Sequence, residues 1–112
     1  MAFLPERTFL EENLVTNYDL SNGVTGFTSS DLSKYLTFSV HFVYSSVAGS
    51  NVFILEQSND NLNWSNLSEE YELPVGAGNF IIDKGAFSGK YVRANFTSSS
   101  SGDISIVLLA KR

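Results

Sequence analysis

YLTFSVHFVY, residues 35–44, is the stretch on which the fold turns. Leu36, Phe38, Val40, Phe42 and Tyr44 alternate with Tyr35, Thr37, Ser39, His41 and Val43. Side chains of an extended chain point to opposite faces in turn, so this period of two describes a strand with one oily face. Such a face needs a second layer to cover it. Downstream, the small residues of 45–50 form a turn, and NVFILEQ (51–57), rich in β-branched and bulky side chains, reads as the partner strand of a hairpin.

The polar cluster SNDNLN (58–63) then makes a tight turn, because Asn and Asp tolerate left-handed backbone angles and bond their own backbone. Trp64 opens a short return strand. Further strands are predicted at 70–74, 79–83, 90–97 and 103–111, separated by Gly76, Gly78, Gly85, Gly89 and the loop 98–102. Val92, Ala94 and Phe96 alternate with Tyr91, Arg93, Asn95 and Thr97. Ile104, Ile106, Leu108 and Ala110 do so with Ser105, Val107 and Leu109. Turn signals at this spacing mark an all-β protein, an antiparallel β-sandwich of jelly-roll type. Val107 and Leu109 make the last strand oily on both faces, as for a central strand or one covered by another segment or subunit.

Residues 1–20 read differently. Thr8 and Glu11 have the spacing of a capping box, and the window is too short for a stable helix, so an extended or partly helical N-terminal arm is expected, with the sandwich over 21–112. Its apolar side chains, among them Phe3, Leu4, Phe9, Leu10, Leu14 and Val15, must pack on this domain or on a neighbour.

Composition narrows function. A chain of 112 residues, 43% apolar and 17% charged, has the size of one globular domain. There is no cysteine, so neither disulfides nor thiolate metal sites are available. A net charge of −5 with seven scattered basic residues disfavours nucleic acid as a partner. No basic stretch precedes an apolar core at the N-terminus, so no signal peptide is expected, and no run approaches the roughly 20 apolar residues of a membrane span.

Catalytic chemistry finds little footing. His41 is the one histidine, with no second to share a metal or a proton, and no G-x-S-x-G occurs. Glu69, Glu70 and Glu72 read as a solvated strand edge that discourages strand addition. The N-x-S/T triplets at Asn63, Asn66 and Asn95 read as chance in a Ser- and Asn-rich chain. The expectation is a protein that is not an enzyme, with no metal and no cofactor. Tyr35, Tyr71 and Tyr91, together with Trp64, are candidates for stacking on a sugar ring.

Two stretches carry a resemblance. EQSNDNLNWSNL (56–67) resembles the strand, turn and tryptophan motif of discoidin-like, galactose-binding-like jelly rolls, and GKYVRANF (89–96) with the closing DISIVLLAKR (103–112) resembles their last two strands. That resemblance implies that Trp64 anchors the hairpin against the core and that Arg93 ties strands together. The same turn and the Lys-Tyr-Val-Arg strand also resemble small β-sandwich proteins of bacteriophage virions. This second resemblance implies a structural virion component, made in the host cytoplasm, of the capsid decoration, auxiliary or head-fibre kind. Its partners would be other capsid subunits and copies of itself, met through Phe3, Leu4, Phe9, Leu10, Leu14, Val107 and Leu109. The alternative is a carbohydrate-binding module with a glycan as partner.

Overall fold

A computed structural model describes residues 9–84 and 89–112. Eight strands follow in chain order: β1 (Phe9–Asp19), β2 (Gly26–Thr28), β3 (Thr37–Ala48), β4 (Val52–Ser58), β5 (Ser65–Glu72), β6 (Gly76–Lys84), β7 (Tyr91–Ser98) and β8 (Ser101–Lys111). They form two four-stranded sheets, ordered β1-β8-β3-β6 and β2-β7-β4-β5. Every pairing is antiparallel. The pairs β1·β8, β2·β7, β3·β6 and β4·β5 are those of one long hairpin whose tip is the β4–β5 turn. Rolled up, that hairpin places β8 also against β3 and β7 also against β4, which makes the sandwich a jelly roll.

The expected alternation supplies the core. Phe38, Val40, Phe42 and Tyr44 of β3, Val92, Ala94 and Phe96 of β7, and Ile104, Ile106, Leu108 and Ala110 of β8 are all buried. Each fully buried large side chain contributes roughly 1.5–3 kcal/mol of transfer free energy. Leu36, the first residue of the alternation, lies before β3 begins and is 68% exposed. Aromatic rings run through the middle of the core. Phe42 stacks on Phe53 at 4.5 Å, Phe53 on Tyr71 at 5.4 Å, and Phe53 meets Phe96 at 5.3 Å. From there Phe96, Phe27 and Tyr18 continue edge-to-face to the far side of the sandwich.

Two expectations are corrected here. β3 and β4 are not a hairpin: they lie in opposite sheets, and the 49–51 turn crosses from one layer to the other. The alternation of the two runs is the same whichever sheet each joins, so the pattern alone does not pair them. The strands foreseen at Trp64 and at 70–74 are one strand, β5. It bulges opposite Leu55, whose N–H is taken by the Ser68 hydroxyl at 3.0 Å. Of the extended or partly helical arm, Phe9–Asp19 takes the extended form as β1, paired with β8 from Phe9↔Lys111 to Asp19↔Asp103. Phe3 and Leu4 lie outside the described residues.

Candidate functional site

The hairpin tip is closed by a dense set of hydrogen bonds. Ser58 donates to Asp60 Oδ1 and accepts from the backbone N–H groups of Asp60 and Asn61. Asp60 in turn accepts from the N–H of Leu62 and Asn63 and from the Asn63 side chain, at 2.9, 2.8 and 2.7 Å. Asn61 takes the left-handed angle that the turn demands. The Asn63 and Leu62 backbone N–H groups hold the Asp60 carboxyl well below the usual carboxylate range. The cavity beside it, about 280 Å³ and lined by Gln57, Asn59 and Gly89, is therefore flanked by a carboxylate already engaged by its own loop.

Beyond the tip, Trp64 lies over Arg93, with the guanidinium carbon 4.2 Å from the ring centroid. Arg93 Nε donates to Glu56 Oε1 at 2.6 Å. This array sits on the outer face of the second sheet and ties β7 to β4, where Glu56 and Arg93 are directly opposite. Trp64 thus stacks on an arginine outside the sandwich and is not seated in the core. One face of its ring is engaged by the guanidinium.

Of the four aromatic residues named for sugar stacking, Tyr91 shares the outer face of β7 with Arg93, over which Trp64 lies, whereas Tyr71 is set apart. Tyr71 pairs with Phe53 and Tyr91 with Ser58, at opposite ends of β4, about 16 Å apart at the rise of an extended strand. Tyr35 precedes β3 and, like Tyr71, packs against the core.

A different constellation forms where the sheets end. β5 and β6 are each one edge strand of their respective sheets, and beside them opens a slot of about 340 Å³ lined by Tyr44, Tyr71, Glu72, Pro74, Asn79 and Phe80. Phe80 lies at 14° and Tyr71 at 23° to the plane of Phe53, so rings from both sheets share one general orientation. Tyr44 is tilted by 57° against Phe80. Gly78 stands opposite Tyr44, and a Cβ there would fall 2.8 Å from the tyrosine hydroxyl. Tyr71 was legible as a candidate, but Tyr44 read as part of the oily face of its strand and Gly78 as a turn.

No family model, curated protein or solved structure matches the chain.

The outer face of the first sheet carries a cluster of apolar side chains. Val107 of β8 stands beside His41 of β3, which stands beside Ile81 of β6. Leu109 lies in the next row with Ser39, and Val43 on the other side with Asn79. Ile81 and Val43 are 58% and 46% exposed, while Val107 and Leu109 are half-buried by their neighbours. His41 Nε2 lies 3.1 Å from Asn79 Oδ1. Phe9 ends the face at 41% exposure, opposite Lys111. Leu10 and Leu14 turn inward and pack against the core, so of the described residues named for assembly only Phe9, Val107 and Leu109 face outward. Among the described residues no group of three His, Cys, Asp or Glu is placed to hold a metal ion.

Proposed function

We propose that this chain is a non-enzymatic structural subunit of a virion, of the capsid decoration, auxiliary or head-fibre kind, and that it self-associates through the outer face of the β1-β8-β3-β6 sheet. The observation that carries the reading is the apolar field of Val43, Ile81, Val107 and Leu109 around His41. Contiguous apolar surface on a sheet face is costly in water and marks a contact. The occupant is a second copy of the chain. A two-fold axis through the field sets it against itself, the arrangement a symmetric dimer requires. Glu11 and Asp83 flank the Leu109 row and keep the rim polar. The virion context draws its support from the jelly-roll architecture and from the Ser-Asn-Asp turn and Lys-Tyr-Val-Arg strand, a likeness of fold and style.

Light scattering after size exclusion tests the contact. The wild type is expected to elute as an oligomer, and the double variant Val43→Asp/Ile81→Asp as a folded monomer of 12.3 kDa. A wild type that stays at monomer mass at every concentration overturns the reading. Virion membership is tested separately by mass spectrometry of purified particles, in which the chain must appear at stoichiometric level.

A further inference from the structure

We propose that the edge strand β6 pairs with β6 of a second copy, antiparallel and about a two-fold axis at Ile81, joining two four-stranded sheets into one of eight strands. An edge strand leaves N–H and C=O groups without a ladder partner, and natural edges carry features that discourage strand addition. Three of the four edges here do so. β1 sets Glu11 and Glu12 side by side and breaks its register twice. β2 is three residues long. β5 carries Glu69, Glu70 and Glu72 together with its bulge. β6 differs: it runs from Gly76 to Lys84, keeps an unbroken register with β3 from Gly78 to Lys84, and has no charged residue before Asp83. Its other side pairs with no strand among the described residues.

The sequence of the edge selects its occupant. With the axis at Ile81, Ile81 meets its own counterpart, Phe80 meets Ile82, Asn79 meets Asp83 and Gly78 meets Lys84. Opposite residues of an antiparallel pair share a face, and all four of these pairs satisfy that rule. Ile81 is 58% exposed, and Phe80 and Ile82 turn inward yet are only partly buried, because the sheet ends beside them. A second β6 covers all three with the same three. No like charges stand opposite each other, since Asp83 faces an amide and Lys84 a glycine. Pairing with β1 or β5 would instead set glutamates against the apolar centre, and β2 is too short to span it. An edge that pairs with itself closes at two copies. The axis stands perpendicular to the sheet, so the apolar outer faces of both copies stay on one side of the joined sheet. This contact is therefore distinct from the face contact proposed above and compatible with it.

Disulfide trapping tests the pairing and its register, because the chain has no cysteine of its own. The background is Val107→Asp, which disrupts the apolar face from β8, two strands away from β6. Opposite residues lie about 4.5–5.5 Å apart between Cα atoms, within reach of a disulfide. A mixture of Asn79→Cys and Asp83→Cys copies should therefore cross-link on mild oxidation at least tenfold more than either variant alone. In each variant alone the two cysteines are four residues out of step, about 13 Å along the strand. Ile81→Cys, on the axis, should cross-link by itself. The proposal is overturned if Asn79→Cys or Asp83→Cys alone cross-links as readily as the mixture, or if Ile81→Cys does not cross-link. Amide exchange followed by NMR reads the same contact with β6 unaltered: every second amide between residues 77 and 83 should be more protected in concentrated than in dilute Val107→Asp protein. Protection that does not change with concentration also overturns it. Ile81 belongs to both contacts, so the monomer expected of Val43→Asp/Ile81→Asp fits either. The two proposals still fail separately: a wild-type oligomer with unprotected β6 amides sinks the edge pairing alone, and a Val107→Asp dimer with the trapped register supports it even where the wild type is no larger.

Discussion

Asp60 shows how much one side chain organises when its lone pairs all point into its own loop. It accepts hydrogen bonds from Asn63, Leu62 and Ser58, and those bonds favour the ionised carboxyl in the folded chain over the unfolded one. The folded-state pKa is therefore depressed below the ordinary 3.8. A depressed carboxyl contributes stability that is fully present above the unfolded value and is lost as pH falls from there through the folded value. Asp19, bonded by the Ser21 hydroxyl and N–H, and Asp31, bonded by Ser33, are shifted in the same direction. Melting temperature should thus drop as pH is lowered below about 3.8. Asp60→Asn should flatten part of that drop; an unchanged pH slope in the variant would show that the tip contributes nothing to acid sensitivity. In the core, Phe53 touches Phe42, Phe80, Phe96 and Tyr71 at once. Phe53→Ala should cost about 3–5 kcal/mol in urea unfolding, since no neighbour can close a cavity framed by rings from both sheets.

At the scale of elements, Gly102 opens β8 with φ at +126°, and a Cβ there would lie 2.7 Å from Val47 Cα. That contact is with backbone at the bulge of β3, where pairing with β8 slips between Ser45 and Ala48. Gly102→Ala should destabilise by about 1–3 kcal/mol in the same assay, because both the backbone angle and the space exclude a side chain. Bulges also explain which strands the sequence hides. β3, β7 and β8 keep a clean period of two through their buried spans and are readable at sight. β1 breaks its register twice, after Asn13 and after Val15, so Leu14, Val15 and Tyr18 all turn inward without alternating. To the eye that spacing reads as a capped helical turn. β2 is three residues long, too short to carry any period, and is held by Phe27 packing between Tyr18 and Phe96. The slot was hidden for a different reason. Tyr44 and Phe80 belong to one sheet and Tyr71 to the other, and which edges meet is decided by strand order, which no local pattern encodes. The apolar outer face was half legible: Val107 and Leu109 stood out within their own strand, while Ile81 became their neighbour only through two pairings across β3.

For the whole molecule, the jelly roll separates its surfaces in space. The apolar outer face lies on one broad side, the Trp64–Arg93–Glu56 array on the other, and the slot along one narrow edge. A subunit that packs through the first side leaves the slot open. The pairing of β1 with β8 has a mechanical consequence. Phe9 sits opposite Lys111, so the first and last strands of the chain begin and end at one corner, beside Thr37 and away from Tyr44. Hydrogen bonds of an antiparallel pair run perpendicular to the strands. Tension applied between residues 9 and 111 thus loads them one at a time, like a zip, and never as a row in shear. Pulled from those points in an optical trap, the domain should yield by peeling β1 away at low force. Pulled between residue 19 and residue 111, at opposite ends of the same pair, it should resist several times harder.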